Sequence, residues 1–178
     1  MLRYILFICC CSCFLFSCSE NPNNKLTTNE VAAPETNQTP AAQQLKPLPY
    51  PSLPNNIAQE LFEKCDFVDY IFYDPSLPMS ISLNEQGSIR STFSHISQGA
   101  AMSTGNCKAT GRVMYQHQGE YIIEADFFLT NGCTYFVFMV DQKPTYANAM
   151  SEEGMKFFQR NISQAKASVQ QKLQGGGQ

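Results

Sequence analysis

Three stretches of different polarity follow one another along the chain. Ile5 to Phe16 is apolar and uncharged. Residues 19–55 are rich in Asn, Gln and Thr and carry Pro22, Pro34, Pro40, Pro47, Pro49, Pro51 and Pro54. From Asn56 onward, apolar positions recur with the periods of helices and strands. Ile57, Ala58, Leu61 and Phe62 share one side of a short helix capped by Asn55 or Asn56. Phe67 to Tyr73 is aromatic and β-branched and stops at Asp74-Pro75, the pattern of a strand. Met79 to Leu83 is a second short extended piece. Asn84-Glu85 opens a helix with Ile89, Phe93 and Ile96 on one face, and His95 lies on that helix. Gly99 to Asn106 has the small residues of a loop.

The clearest pattern is an antiparallel meander over 107–141. His117-Gln118-Gly119 suits a three-residue hairpin loop with the glycine in the left-handed position. That loop sets Tyr115 against Tyr121, Val113 against Ile123, Gly111 against Ala125 and Ala109 against Phe127. Arg112 then lies opposite Glu124, a cross-strand pair of opposite charge. A two-residue loop would slip the register by one and set Val113 against Glu124, inverting the burial pattern. Asn131-Gly132 marks the next turn, and Thr134 to Val140 is apolar on both faces, as in a covered strand. Asp141-Gln142-Lys143 turns the chain again. Pro144 has no N–H to donate, so Thr145 to Met150 is expected as a short edge strand. Ser151, Glu152 and Glu153 start a last helix with Met155, Phe158, Ile162, Ala165 and Val169 in one stripe. The fold class that follows is α+β: an antiparallel meander of three to four strands packed by flanking helices.

The apolar segment near the start reads differently. About a dozen helical residues span roughly 18 Å, well short of the roughly 30 Å of a bilayer core. A basic residue, Arg3, precedes it, which is the pattern of a secretory signal. The segment ends in Leu15-Phe16-Ser17-Cys18, and polar sequence follows. These four residues resemble the lipobox of bacterial lipoprotein precursors, in which the cysteine thiol is diacylated and becomes the new N-terminus. The resemblance implies lipidation of Cys18. It also implies an exported protein anchored by lipid on the periplasmic or cell-surface face, with the outer membrane favoured. Two or more acyl chains make a durable anchor, because each buried CH₂ contributes about 0.8 kcal/mol.

The chain therefore divides into a signal peptide at 1–17, a lipidated N-terminus and disordered linker at 18–55, one globular domain at 56–172, and a Gly-rich tail at 173–178. The linker holds too little apolar surface to offset the entropy of ordering it. Of eight cysteines, Cys9, Cys10, Cys11 and Cys13 leave with the signal and Cys18 takes the lipid. Cys65, Cys107 and Cys133 remain for one disulfide, whose pairing stays open. If Cys107 and Cys133 both flank strand ends, they stand roughly 9–10 Å apart. A direct bond wants Cα atoms within about 7 Å, so it would require those ends to bend together.

Net charge is −3, which argues against a nucleic-acid partner, since that needs a basic face. The chain has no nucleophile elbow, zinc-protease helix or phosphate loop. Asp66, Asp69 and Asp74 lack the spacing of a calcium loop. No metal or cofactor is expected. His95 is a general-base candidate, and Glu124 and Asp126 share a strand face as paired carboxylates. The leading expectation is a non-enzymatic, membrane-anchored module that binds an envelope protein or a small apolar ligand. The alternatives are an envelope hydrolase with a composite site near His95, Glu124 and Asp126, and a structural envelope lipoprotein without ligand. The aromatic runs at Phe67–Tyr73 and Tyr135–Met139 read as core. Growth with labelled fatty acid tests the anchor. Cys18→Ala is expected to abolish incorporation and release the protein from membranes, and persistent labelling would refute the assignment.

Overall fold

The computed structural model describes residues 44–77 and 79–175. The expected signal peptide, Cys18, the linker up to residue 43 and the last three residues lie outside that range. Within it the fold is α+β. The helices are α1 (Asn55–Lys64), α2 (Gln86–Phe93) and α3 (Glu152–Gly175). The strands are β1 (Lys46–Pro47), β2 (Phe67–Phe72), β3 (Ser80–Leu83), β4 (Ile96–Ala100), β5 (Met102–Ser103), β6 (Gly111–His117), β7 (Glu120–Thr130), β8 (Cys133–Val140) and β9 (Lys143–Met150). Seven of them form one antiparallel sheet in the order β3-β2-β6-β7-β8-β9-β4, and β1 pairs with β5 in a two-stranded ribbon. No helix among the described residues is long and apolar enough to cross a membrane.

The meander is present, but its hairpin differs from the expected one. His117 pairs with Glu120, so the loop is the two residues Gln118 and Gly119, at φ 53° and 84°. Two consecutive left-handed residues match the right-handed twist of the flanking strands. A bulge between Tyr115 and Gln116 then restores the parity that a two-residue loop would have lost. Val113 thus meets Ala125 and Gly111 meets Phe127. The register is displaced by two from the expected one, and two is the period at which side chains keep their face. The apolar face survives the displacement, but Arg112 stands opposite Asp126 rather than Glu124.

β9 is interior, not an edge strand, since β4 returns to pair beyond it. Pro144 is tolerated because β4 pairs only with the far end of β9, at Asn148 and Met150. The stretch expected as a loop at 99–106 contains part of β4 and all of β5. Ile96 and His95, expected on the second helix, fall beyond its last residue, Phe93. α3 begins as expected, with the Gly154 N–H donating to Ser151 Oγ at 3.1 Å, and it runs to Gly175.

All three helices cover one face of the sheet. Leu61 of α1, Ile89 of α2 and Phe158 of α3 are fully buried against Val68, Tyr70, Val113, Tyr115, Ala125, Phe127, Phe136 and Phe138. Phe158 is the centre of this layer. Its ring stacks on Phe127 at 4.6 Å and meets Tyr70, Phe157 and Phe72 edge-on at 5.4, 5.3 and 6.2 Å. Phe127 in turn lies over Gly111, where a Cβ would collide with its ring and with the Ile71 carbonyl. The aromatic ring shields the cross-strand glycine.

The expected linker is structured in its last part. Four prolines pre-set extended backbone over 47–54, and the intervening apolar residues pack. Leu48 donates to the Ala101 carbonyl at 2.9 Å, the Ala147 N–H donates to the Pro51 carbonyl at 2.8 Å, and Leu53 is buried in the helix-side core. Asn148, 2% exposed, accepts from the Leu53 N–H at 2.8 Å and donates to the Ser97 carbonyl at 2.9 Å. The strap formed by 45–54 therefore passes around the β9 side of the sheet, from the helix-free face to the helix face. Gly111→Ala is expected to lower stability by about 2–3 kcal/mol, since backbone as well as ring must shift. Urea denaturation measures it, and a loss below half a kcal/mol would contradict this packing.

Candidate functional site

The second face of the sheet carries no helix. Strand alternation places Asp69, Ile71, Arg112, Met114, Glu124, Asp126, Phe128, Tyr135, Val137, Met139 and Ala147 there. At one end the strap and residues 101–107 lie over it, with Ala101, Cys133, Tyr135, Val137 and Ala147 buried and Leu48, Tyr50, Cys107, Phe128 and Met139 packed around them. Cys107 and Cys133 form a disulfide with a Cα–Cα distance of 5.9 Å. The direct bond needed bent strand ends, and the structure supplies them: β6 begins at Gly111, so Cys107 is in irregular chain free to cross the face to β8. Cys65 is the remaining thiol among the described residues, buried, and donates to the Phe67 carbonyl at 3.3 Å.

Between the strap and the sheet lies a groove of about 280 Å³, walled by Leu48 and Tyr50, by Cys107, and by Phe128, Tyr135, Val137, Met139 and Pro144. Phe128 and Tyr135 stack at 4.5 Å. The stretch Tyr135–Met139, expected as core, is thus split by alternation. Phe136 and Phe138 are core, while Tyr135, Val137 and Met139 face the groove.

Asp126 is at the rim. Arg112 joins it to Glu124: Nε donates to Asp126 Oδ1 at 2.8 Å and a terminal nitrogen donates to Glu124 Oε2 at 3.2 Å. The expected Arg112–Glu124 pair is therefore present, but as the weaker arm of a triad whose direct cross-strand member is Asp126. The Tyr73 hydroxyl also donates to Asp126 Oδ1, at 3.3 Å. Burial, reinforced by the Asp126 charge, pushes the Tyr73 phenol up, so it stays a neutral donor.

The residues of the hydrolase alternative do not converge. His95 is on the helix side, 5% exposed, its ring 4.7 Å from Phe157 and 6.4 Å from Phe158. Glu124 and Asp126 are on the opposite face. The three aspartates weighed for calcium are also separate. Asp66 accepts from the Gln118 N–H, Asp69 from Ser82 Oγ and Asp74 from Ser76. Among the described residues no group of three or more His, Cys, Asp or Glu could hold a metal ion.

Two other depressions do not involve the strap. One of about 200 Å³ between α3 and the sheet is lined by Leu129, Thr134, Met155, Phe158, Gln159, Ile162 and Ser163, without a charge. A wider one of about 550 Å³ opens between α1 and the β8–β9 turn, with Glu60, Tyr121, Asp141 and Gln142 at its edge. The groove under the strap combines apolar walls, a covalent clamp and a charged rim, and no single stretch of sequence announces it. Its residues come from the strap, the loop before β6 and four strands, β5, β7, β8 and β9.

His95 has a consequence of its own. Burial lowers its pKa to about 4, against the opposing pull of Glu153. An unfolded histidine titrates near 6.5 and takes up its proton first. The stability due to neutral His95 is therefore complete above pH 6.5 and is lost as pH falls toward 4, by about 3 kcal/mol in all. NMR titration of the imidazole is expected to place His95 near 4, and a midpoint near 6.5 would contradict its burial.

Comparison with protein-family models, with curated proteins and with solved structures returned no match.

Proposed function

We propose that this chain is an exported, lipid-anchored binding module, with no catalytic role, whose domain takes a small apolar ligand on the helix-free face of the sheet. Cys18 carries the anchor, and the proline-rich residues after it hold the domain off the membrane. The observation that supports ligand binding most directly is the groove under the strap. Leu48, Tyr50, Phe128, Tyr135, Val137 and Met139 present apolar surface to it, while three helices pack on the other face. Its volume of about 280 Å³ is near the lower end for small-ligand pockets, so the ligand is small. The Cys107–Cys133 bond and the ribbon of β1 with β5 hold the cover in place, which limits the entropy lost when a ligand is bound.

The groove is tested with a neutral apolar dye such as Nile red, whose emission rises on leaving water. Met139→Lys places a charge in the groove wall and is expected to weaken dye binding about tenfold. Val140→Lys, one residue on and outside the groove, is expected to leave it unchanged. Circular dichroism confirms that both variants fold. Equal binding by both variants, or none by the unmodified protein, would refute the proposal.

A further inference from the structure

The rim of the groove says more about the ligand. Asp126 is only 17% exposed in its side chain and lines the groove. Both hydrogen bonds it accepts, from Arg112 Nε and from the Tyr73 hydroxyl, end on Oδ1. Its second oxygen, Oδ2, accepts none from the described residues. An ionised carboxylate has about four acceptor positions, so Oδ2, which is open to solvent, is free to accept from a ligand. Glu124 is similar, receiving Arg112 on Oε2 alone.

The charges of the triad do not cancel. Two carboxylates face one guanidinium, for a net charge of −1. Asp69 adds a further acid on the same face, and Arg112 is the only cation among the described positions of β2, β6, β7 and β8. Lys108 and Lys143 adjoin Cys107 and Pro144 in sequence, but both are exposed and neither lines the groove. The apolar walls include the rings of Tyr50, Phe128 and Tyr135, whose faces attract a cation. Acceptor, net charge and ring faces all select in one direction.

We infer that the groove binds a small soluble organic amine, its apolar body against Phe128, Tyr135, Val137 and Met139 and its ammonium donating to Asp126 Oδ2. This rests on the groove being a ligand site, as proposed above. An apolar carboxylate would meet the same walls but a rim of its own charge.

The test is a matched series with one phenylpropyl body: 3-phenylpropylamine, 3-phenylpropanol and 3-phenylpropanoate, titrated into the mature protein by calorimetry at low and high salt. The amine is expected to bind about tenfold more tightly than the alcohol, and the carboxylate more weakly than either. The advantage of the amine should shrink at high salt. Asp126→Asn should remove that advantage, and retained binding of the alcohol shows that the groove is intact. Should that variant bind nothing, Glu124→Gln reads the same charge, and an undiminished amine advantage there would overturn the inference. Equal binding of amine and alcohol by the unmodified protein would overturn the amine assignment and leave the apolar groove standing. Binding of no member would overturn both.

Discussion

Everything else in the domain depends on the stack of Phe158 on Phe127 over Gly111. It joins the last helix to the middle of the sheet through the one position where no side chain stands between strand and ring. Five further aromatic rings approach Phe158, including that of His95. Truncating such a ring to alanine typically costs about 3–5 kcal/mol, a large fraction of the stability of a domain this size. The stack fixes the three-helix layer to the sheet and leaves the other face without a helix.

That other face is managed by the chain that precedes α1. The strap crosses it, is held by β5, and passes around β9 with Asn148 at the corner. The disulfide fixes the loop that lies beside it. A bond between residues separated by 26 positions stabilises by about 3–4 kcal/mol on a chain-entropy basis. Here it also keeps one wall of the groove in place. The groove thus depends on residues distant in sequence.

Much of the fold was legible in the residues. The stripe on α3, the aromatic strand β2 and the alternation of the meander are local patterns, and each predicted element is present. Side-chain faces in β6 and β7 were also legible, because the bulge and the shorter loop displaced the register by an even number. Features set by tertiary pairing were not legible. β4 has a polar, glycine-containing sequence and is a strand only because β9 offers an unpaired edge. Its formation ends α2 early and turns His95 into the helix-side core. The strap has the composition of a linker, yet its prolines hold it extended and Leu48, Tyr50 and Leu53 find surface to cover. The Cys107–Cys133 pairing was hidden by the same local view, which carried β6 back to residue 107. The candidate site inherits these gaps. Arg112, Glu124 and Asp126 were visible as a charged cluster, but the apolar groove beside them needed the strap.

The sheet is two-faced: helices pack on one side, and the strap leaves a groove on the other. Methionine methyl groups report on both sides: Met139 lines the groove and Met155 lies in the cleft between α3 and the sheet. With methionine labelled by ¹³C at the methyl, titration with 3-phenylpropylamine followed by NMR distinguishes the faces. A ligand site on the helix-free face predicts a saturable shift of Met139 with Met155 unmoved. A shift of Met155 with Met139 unmoved would contradict it.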